Sequence, residues 1–130
     1  MKQSIKVLAI IFVITAFAFM QPGNKLIGRW IIYAPDGTNS QEYVEFKIDG
    51  TYNVVLPNGE IGESGNYKLN HSVFSIKNSK AHVCGNDYWG SYKLTFHGRD
   101  SVSFVLTADS CTSRREDIVG GNPGLKRLKQ

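Results

Sequence analysis

Apolar and polar residues alternate with a period of two along most of the chain. The segment from Tyr92 to Phe96, for example, reads Tyr-Lys-Leu-Thr-Phe. Such alternation is typical of strands that bury one face and expose the other. Turn-forming dipeptides such as Asp49-Gly50 and Asn58-Gly59 separate the segments. The pattern therefore predicts a meander of short antiparallel strands that leaves no room for crossover helices.

The predicted inner face is strongly aromatic. Its expected members are Val44, Phe46, Ile48, Tyr52, Val54, Leu56, Tyr67, Leu69, Phe74, Ile76, Tyr92, Leu94, Phe96, Val102, Phe104 and Leu106. A one-sided antiparallel sheet either stacks as a sandwich or closes as a barrel. With a first strand within 25–33 and a last strand within 125–128, the count is about eight strands and the fold class is all-β.

One segment departs from the alternation. Thr112 to Val119 is compatible with a helix of at most two turns that ends at Gly120-Gly121. The hydroxyl of Thr112 or Ser113 is the expected N-terminal cap. Before this segment, residues 78–90 form a long polar connection that carries an aromatic pair and a cysteine.

The N-terminus has the three-part layout of a secretory signal. Lys2 and Lys6 precede an apolar run from Val7 to Met20, and Ala16-Phe17-Ala18 supplies the small-x-small pattern of a cleavage site. The run is too short for a membrane span, which needs about 20 apolar residues. We expect residues 1–18 to be a signal peptide, no membrane span after cleavage, and an exported protein, either periplasmic or secreted.

The charge pattern does not indicate a nucleic-acid surface. The chain has 15 basic and 11 acidic residues. The leader carries two of the lysines, and Lys126, Arg127 and Lys129 cluster at the C-terminus. Because a nucleic-acid binder groups its basic residues on one face, we expect no nucleic-acid partner. The chain after residue 18 is long enough for one domain and not two.

Two cysteines, Cys84 and Cys111, are most simply a disulfide in an exported domain. The alternative is a metal site that uses His82 and Cys84. A closed zinc site needs four ligands, and the sequence shows no second pair. We therefore expect a disulfide and no metal.

Several short motifs carry a family resemblance. The first predicted strand opens with Gly28-Arg29-Trp30. The chain continues with Phe46-x-x-Asp49-Gly50-Thr51-Tyr52, Gly65-x-Tyr67, Gly90-x-Tyr92 and Asp109-x-Cys111-x-x-Arg114. Gly-x-Trp resembles the N-terminal motif of lipocalins and the wider calycin group. The later motifs look like those of small lipocalin-like domains exported by Bacteroidetes.

The resemblance covers nearly all of residues 26–128. It implies a single lipocalin-like domain over 24–130, folded as an up-and-down antiparallel barrel of about eight short strands with one short helix before the last strand. In that group a basic residue of the last strand packs over the first-strand Trp at the closed end. Here the matching pair is Trp30 and Arg127, unless Arg127 is a solvated tail residue.

The function implied by the resemblance is the binding of a small apolar or aromatic ligand at the open end of the barrel. The residues expected to line the ligand are Tyr52, Tyr67, Phe74, Trp89, Tyr92, Phe96 and Phe104. An eight-stranded barrel is just wide enough to hold one small ligand or to be filled by its own side chains. The alternative is therefore a filled core and a module that presents loops to a protein partner.

Catalysis has little support in the sequence. His71 is expected in a turn and His97 at the outward end of a strand, so neither is a convincing base. Asp109 and Arg114 flank Cys111 and are expected to form a structural ion pair. Glu60 and Glu63 lie in a Gly-rich segment and are expected to be solvated. We expect a protein that is not an enzyme and has no cofactor.

Overall fold

Eight strands and one short helix follow one another in the predicted order. The computed structural model describes residues 24–121 and 124–129, so the predicted signal peptide lies outside the described residues. The elements are β1 (Gly28–Tyr33), β2 (Asn39–Phe46), β3 (Thr51–Val55), β4 (Ile61–Asn70), β5 (Val73–Asn78), β6 (Gly90–His97), β7 (Ser101–Ala108), α1 (Thr112–Val119) and β8 (Gly124–Arg127). Within the described ranges, no helix is long and apolar enough to cross a membrane.

The sheet closes on itself. Each strand pairs antiparallel with the next, and β8 pairs with both β7 and β1, with Arg127 opposite Trp30 and Leu125 opposite Val102. Closure removes the unpaired strand edges that an open sheet would expose. The predicted all-β, up-and-down, lipocalin-like barrel is confirmed, including the helix before the last strand.

Alternate connections divide the barrel into two ends. The turns 47–50, 71–72 and 98–100 lie at one end, together with residues 24–27 ahead of β1. We call this the closed end. The turns 34–38 and 56–60, the long loop 79–89 and the segment that carries α1 lie at the other end, which we call the open end. The interior space is reached between the 34–38 turn and the segment that carries α1, both of which border it.

The closed end is sealed by the indole of Trp30, which is fully buried. Its Nε1 donates to the carbonyl of Leu26 at 2.7 Å. The Arg127 guanidinium carbon lies 4.2 Å from the ring centroid, a cation–π distance. Gly28 has a φ of 126°, and a Cβ there would come within 3.0 Å of the guanidinium. The Gly-x-Trp motif thus gives Arg127 the space to cover the indole.

Two residues of the predicted inner face are exposed instead of buried. Ile48 is 88% exposed because the β2–β3 connection takes four residues, 47–50, and not only Asp49-Gly50. In that turn Lys47 N donates to the carbonyl of Thr51 at 2.9 Å. Leu106 lies opposite the buried Tyr92 and so stays on the inner face, but it is 39% exposed, next to the register shift between Ser91 and Tyr92. A bulge of this kind breaks the alternation that the sequence pattern assumes.

Cys84 and Cys111 form the predicted disulfide, with their Cα atoms 5.9 Å apart. The bond joins the 79–89 loop to the residue that precedes α1. Both open-end connections are therefore tethered to each other, although 27 residues separate them in sequence.

Candidate functional site

A cavity of about 500 Å³ occupies the open-end half of the barrel. Its walls are mainly apolar side chains from the strands and from α1. These are Ile32, Val44, Phe46, Val54, Phe74, Ile76, Phe104, Ile118 and Leu125. A concave, mostly apolar space with a few polar groups is the usual form of a small-molecule site.

Aromatic rings form the bottom of this cavity. The ring centroids of Phe46 and Phe74 are 5.8 Å apart, and those of Phe74 and Phe104 are 5.2 Å apart. Tyr67 packs edge-on against Phe46 at 4.9 Å from the closed-end side. These distances are those of close aromatic packing. The barrel is therefore filled below the three phenylalanines and hollow above them.

Three of the seven residues expected to line a ligand border the cavity, namely Tyr52, Phe74 and Phe104. Tyr67 and Phe96 lie below it. The Tyr67 hydroxyl donates to the carbonyl of Lys47 at 2.6 Å, in the closed-end turn. Phe96 packs on the indole of Trp30, with 6.5 Å between ring centroids. Both side chains face inward as expected, but they belong to the filled half.

Tyr92 and Trp89 are separated from the cavity in different ways. The Tyr92 hydroxyl donates to the Asp109 carboxylate and is buried in the packing beneath α1. Trp89 lies on the outer face of the barrel, under Lys68 and Lys77, whose Nζ atoms are 4.4 and 5.0 Å from its ring centroid. The expectation that Trp89 borders the open-end ligand space therefore has to be corrected. The two lysines come from neighbouring outward positions of β4 and β5 and hold the indole against the sheet.

A buried ion pair fixes α1 over the barrel. Arg114 and Asp109 have side-chain exposures of 2% and 0%. The guanidinium donates to both carboxylate oxygens, from Nε and Nη2, at 2.7 Å each. Gly90 is required beneath the pair, because a Cβ there would overlap the Asp109 carboxylate at 2.2 Å. The expected Asp109–Arg114 ion pair is present, and both of its side chains are buried.

Asp109 also explains how α1 begins. Its Oδ1 accepts the N–H of Cys111 at 2.9 Å, and Cys111 is the N-cap residue, without a side-chain cap of its own. The predicted capping by Thr112 or Ser113 is wrong, since Thr112 is already the first helical residue and Cys111 occupies the N-cap position. Burial raises the pKa of Asp109, but hydrogen bonds from Arg114, Tyr92 and Cys111 outweigh it and leave the pKa below its ordinary value.

The network continues from Arg114 into the cavity. Its Nη1 donates to Asn78 Oδ1 at 2.8 Å, and Asn78 Nδ2 donates to the Tyr52 hydroxyl at 2.9 Å. Asn78 Nδ2 and the Tyr52 hydroxyl both donate to Oε1 of Glu63, the latter at 3.0 Å. Burial, and then the negative charge of Glu63, raise the pKa of Tyr52. Tyr52 therefore stays a neutral donor that orients the carboxylate.

Glu63 and Asn78 are the site residues that sequence reasoning missed. Glu63 was expected to be solvated in a turn, yet β4 begins at Ile61 and the inner row of Tyr67 runs back through Gly65 to Glu63. The same extension along β5 from Ile76 reaches Asn78. The sequence pattern could have predicted both residues, because the inward positions of β4 and β5 continue at every second residue from apolar into polar side chains towards the open end.

Three possible metal-ligand atoms meet at the mouth of the cavity. One atom each from Glu63, His82 and Asp117 lies within 4.8 Å of the other two. His82 Nδ1 accepts the N–H of Cys84 at 3.2 Å, so in the neutral ring Nε2 carries the proton and has no lone pair to give to a metal. Both thiols are in the disulfide, so neither is a thiolate ligand. The carboxylates are left as hydrogen-bond acceptors.

No family model matches the chain, and no curated protein matches it. Among solved structures, a lipocalin-like protein from Bacteroides uniformis is similar over 82% of this chain and 98% of that chain. The sequence identity is 15% and the TM-score is 0.46. The class of fold rests on this chain's own strand order and closure, which are those of a lipocalin-like barrel.

Proposed function

We propose that the protein is an exported, lipocalin-like binding protein that takes one small apolar or aromatic molecule into the open-end half of its barrel. The observation that carries this proposal is the cavity of about 500 Å³ above the layer of Phe46, Phe74 and Phe104. A barrel of eight strands has room for one small ligand when its interior is not filled. Export is supported by the leader at residues 1–18 and by the disulfide.

Binding without catalysis is part of the same proposal. Among the described residues, a serine–histidine contact joins Ser103 Oγ to His97 Nε2 at 2.8 Å, but it is exposed and away from the cavity. The polar groups that border the cavity are four carboxylates, two tyrosines, an arginine already paired with a carboxylate, and the hydroxyl of Ser40, which donates to the carbonyl of Ile32 at 2.7 Å. Such a set orients a ligand but offers no activated nucleophile.

The test is one-to-one binding of N-phenyl-1-naphthylamine, an uncharged apolar fluorophore, to the protein without its leader. We expect saturable enhancement of its emission in wild type. Val54→Trp fills the cavity from β3 and should weaken binding at least about tenfold, a loss of about 1.4 kcal/mol. Val55→Trp is the matched control, because Val55 is the next residue of the strand and does not border the cavity.

Phe104→Ala gives an independent check through stability. One side of the Phe104 ring borders the cavity, so its truncation should cost less than the roughly 3–5 kcal/mol of a tightly packed phenylalanine. It should also change the affinity for the fluorophore. A wild type that binds no fluorophore, together with a full-sized stability loss at Phe104, would contradict the proposal.

The second candidate is a module that presents loops to a protein partner. It is favoured by the apolar side chains of the disulfide-tethered loop, where Val83 is 81% exposed and Tyr88 is 56% exposed. Exposed apolar side chains grouped in one loop are typical of interaction surfaces. If the fluorophore does not bind, the protein-partner function becomes the better supported of the two. Tyr88→Ser would then be the first variant to compare with wild type for binding to a protein partner.

A further inference from the structure

The mouth of the cavity is strongly acidic. Four carboxylates border it, from β2, β4 and α1: Glu42, Glu63, Glu116 and Asp117. None of the four forms a salt bridge with another described residue. Arg114 is the single lysine or arginine among the described residues that border the cavity.

Arg114 does not offset the charge of these carboxylates, because its guanidinium is already paired with Asp109. Its N–H groups donate to both oxygens of Asp109, to Oδ1 of Asn78 at 2.8 Å and to the carbonyl of Tyr88 at 3.2 Å. Four of the five N–H donors of a guanidinium are thereby engaged. An anionic ligand would find little donor capacity here, and it would meet the repulsion of the four free carboxylates.

Glu63 is held in place to accept one more hydrogen bond. Tyr52 and Asn78, both buried, donate to its Oε1, while its Oε2 accepts nothing from the described residues. An oxygen of Glu63 and an oxygen of Asp117 lie within 4.8 Å of each other. One ammonium nitrogen placed between two such oxygens can reach both at about 2.8 Å, the length of a charge-assisted bond. The spacing admits a single cationic nitrogen beside the His82 ring, one nitrogen of which lies within 4.8 Å of both oxygens.

The charged form of the Asp117 carboxyl would be stabilised by a nearby cation. Burial is the largest effect and raises the pKa of its carboxyl; His82 lowers this pKa, and Glu116 raises it by a smaller amount. A positive charge beside Asp117 would relieve both effects that raise the pKa.

We propose that the ligand of this cavity is an amphipathic amine, whose apolar body fills the space above Phe74 and whose protonated amino group sits between Glu63 and Asp117. This inference rests on the proposed function and specifies the ligand class. It requires no metal ion, and the hydrogen bond to His82 Nδ1 leaves the carboxylates as the acceptors at the mouth.

The experiment displaces bound N-phenyl-1-naphthylamine with octylamine, octanol and octanoate at pH 7, three ligands with the same apolar body. Octylamine should displace the fluorophore at about one tenth of the octanol concentration, because charged hydrogen bonds are about twice as strong as neutral ones. Octanoate should be the weakest of the three. An aromatic arm compares 2-phenylethylamine with 2-phenylethanol and should show the same order.

Two variants locate the amino group. Asp117→Asn, at an exposed residue of α1 that borders the cavity, and Glu63→Gln, which retains an acceptor for Tyr52, should each remove most of the preference for amine over alcohol. Glu60→Gln is the matched control, since Glu60 carries the same charge in an exposed open-end turn and does not border the cavity. Asp117→Asn keeps the test valid if Glu63→Gln folds poorly.

The outcomes separate the two proposals. If octanol and octylamine displace the fluorophore equally, or if Glu60→Gln lowers the preference as much as Asp117→Asn does, the amine inference is overturned while ligand binding stands. If the fluorophore itself does not bind, the proposed function fails first. If Zn²⁺ at micromolar concentration binds through Glu63 and Asp117 and octylamine gains no preference, the mouth is a metal site and the amine inference is also overturned.

Discussion

The buried Asp109–Arg114 pair gives the sharpest prediction about stability. Asp109→Asn leaves the guanidinium in place and removes the charge that compensates it. The amide can accept through one oxygen, but its NH₂ group then faces the N–H donors of Arg114, where the carboxylate now accepts two bonds of 2.7 Å. The substitution also weakens the acceptors for the Tyr92 hydroxyl and for the Cys111 N–H.

The magnitude follows from the burial of the pair, whose side chains are 2% and 0% exposed. Removing one partner of such a pair costs roughly 3–5 kcal/mol, because an uncompensated charge remains inside. With a urea m-value between about 1 and 3 kcal/mol/M, the midpoint of unfolding should fall by on the order of 2 M.

The assay is a double-mutant cycle in urea with Asp109→Asn, Arg114→Met and the double variant. The double variant removes both charges, so its loss should be smaller than the sum of the single losses by at least about 2 kcal/mol. A loss below about 1 kcal/mol for Asp109→Asn, or strictly additive losses, would refute the argument that this pair holds α1 onto the barrel.

Other consequences are open to measurement. Hydrogen bonds lower the pKa of Asp109 in the folded protein. The contribution of Asp109 to folding stability is therefore fully present above its pKa in the unfolded chain, about 4, and is lost as the pH falls through the pKa of the folded state. The urea melts of wild type and Asp109→Asn should accordingly converge in acid. Cys84→Ala/Cys111→Ala should cost roughly 3–4 kcal/mol in the chain-entropy model and expose the 79–89 loop to proteases, whereas equal cleavage of both forms would mean the loop is held by other contacts. Trp30→Ala should cost roughly 3–5 kcal/mol in denaturant melts, and Arg127→Ala only about 1 kcal/mol. A loss below about 1 kcal/mol for Trp30→Ala would show that the indole does not seal the closed end.

Local patterns in the sequence were enough to predict the elements of this fold. Alternation marked the strands, and its interruption marked α1 with its observed limits, Thr112 and Val119. These features depend on neighbouring residues, whose spacing decides which face is apolar. The clearest error is Ile48, which was expected on the inner face but lies in a four-residue turn and is exposed.

The candidate site was less predictable, because its contacts join residues that are far apart in sequence. Asn78 meets Tyr52 across 26 positions, and Arg114 meets Asn78 across 36. Strand register and the position of α1 on the barrel decide which polar residues meet. Neither can be derived from composition. Trp89 shows the same limit, since its loop position was evident but its packing on the outer face under Lys68 and Lys77 was not.

The open end is built differently from the closed end, and the difference accounts for the cavity. The closed end is filled by rings around Trp30. Helix α1 supplies only Ile118 and Val119 as apolar contacts to the core, and it is fixed mainly by the buried Arg114 and by the bond at Cys111. A helix held in this way can cover a barrel without inserting a row of large side chains into it. Because polar groups hold α1, the open-end half of the barrel need not be filled by helix side chains, and the loss of this anchoring in Asp109→Asn should impair the proposed ligand binding as well as stability.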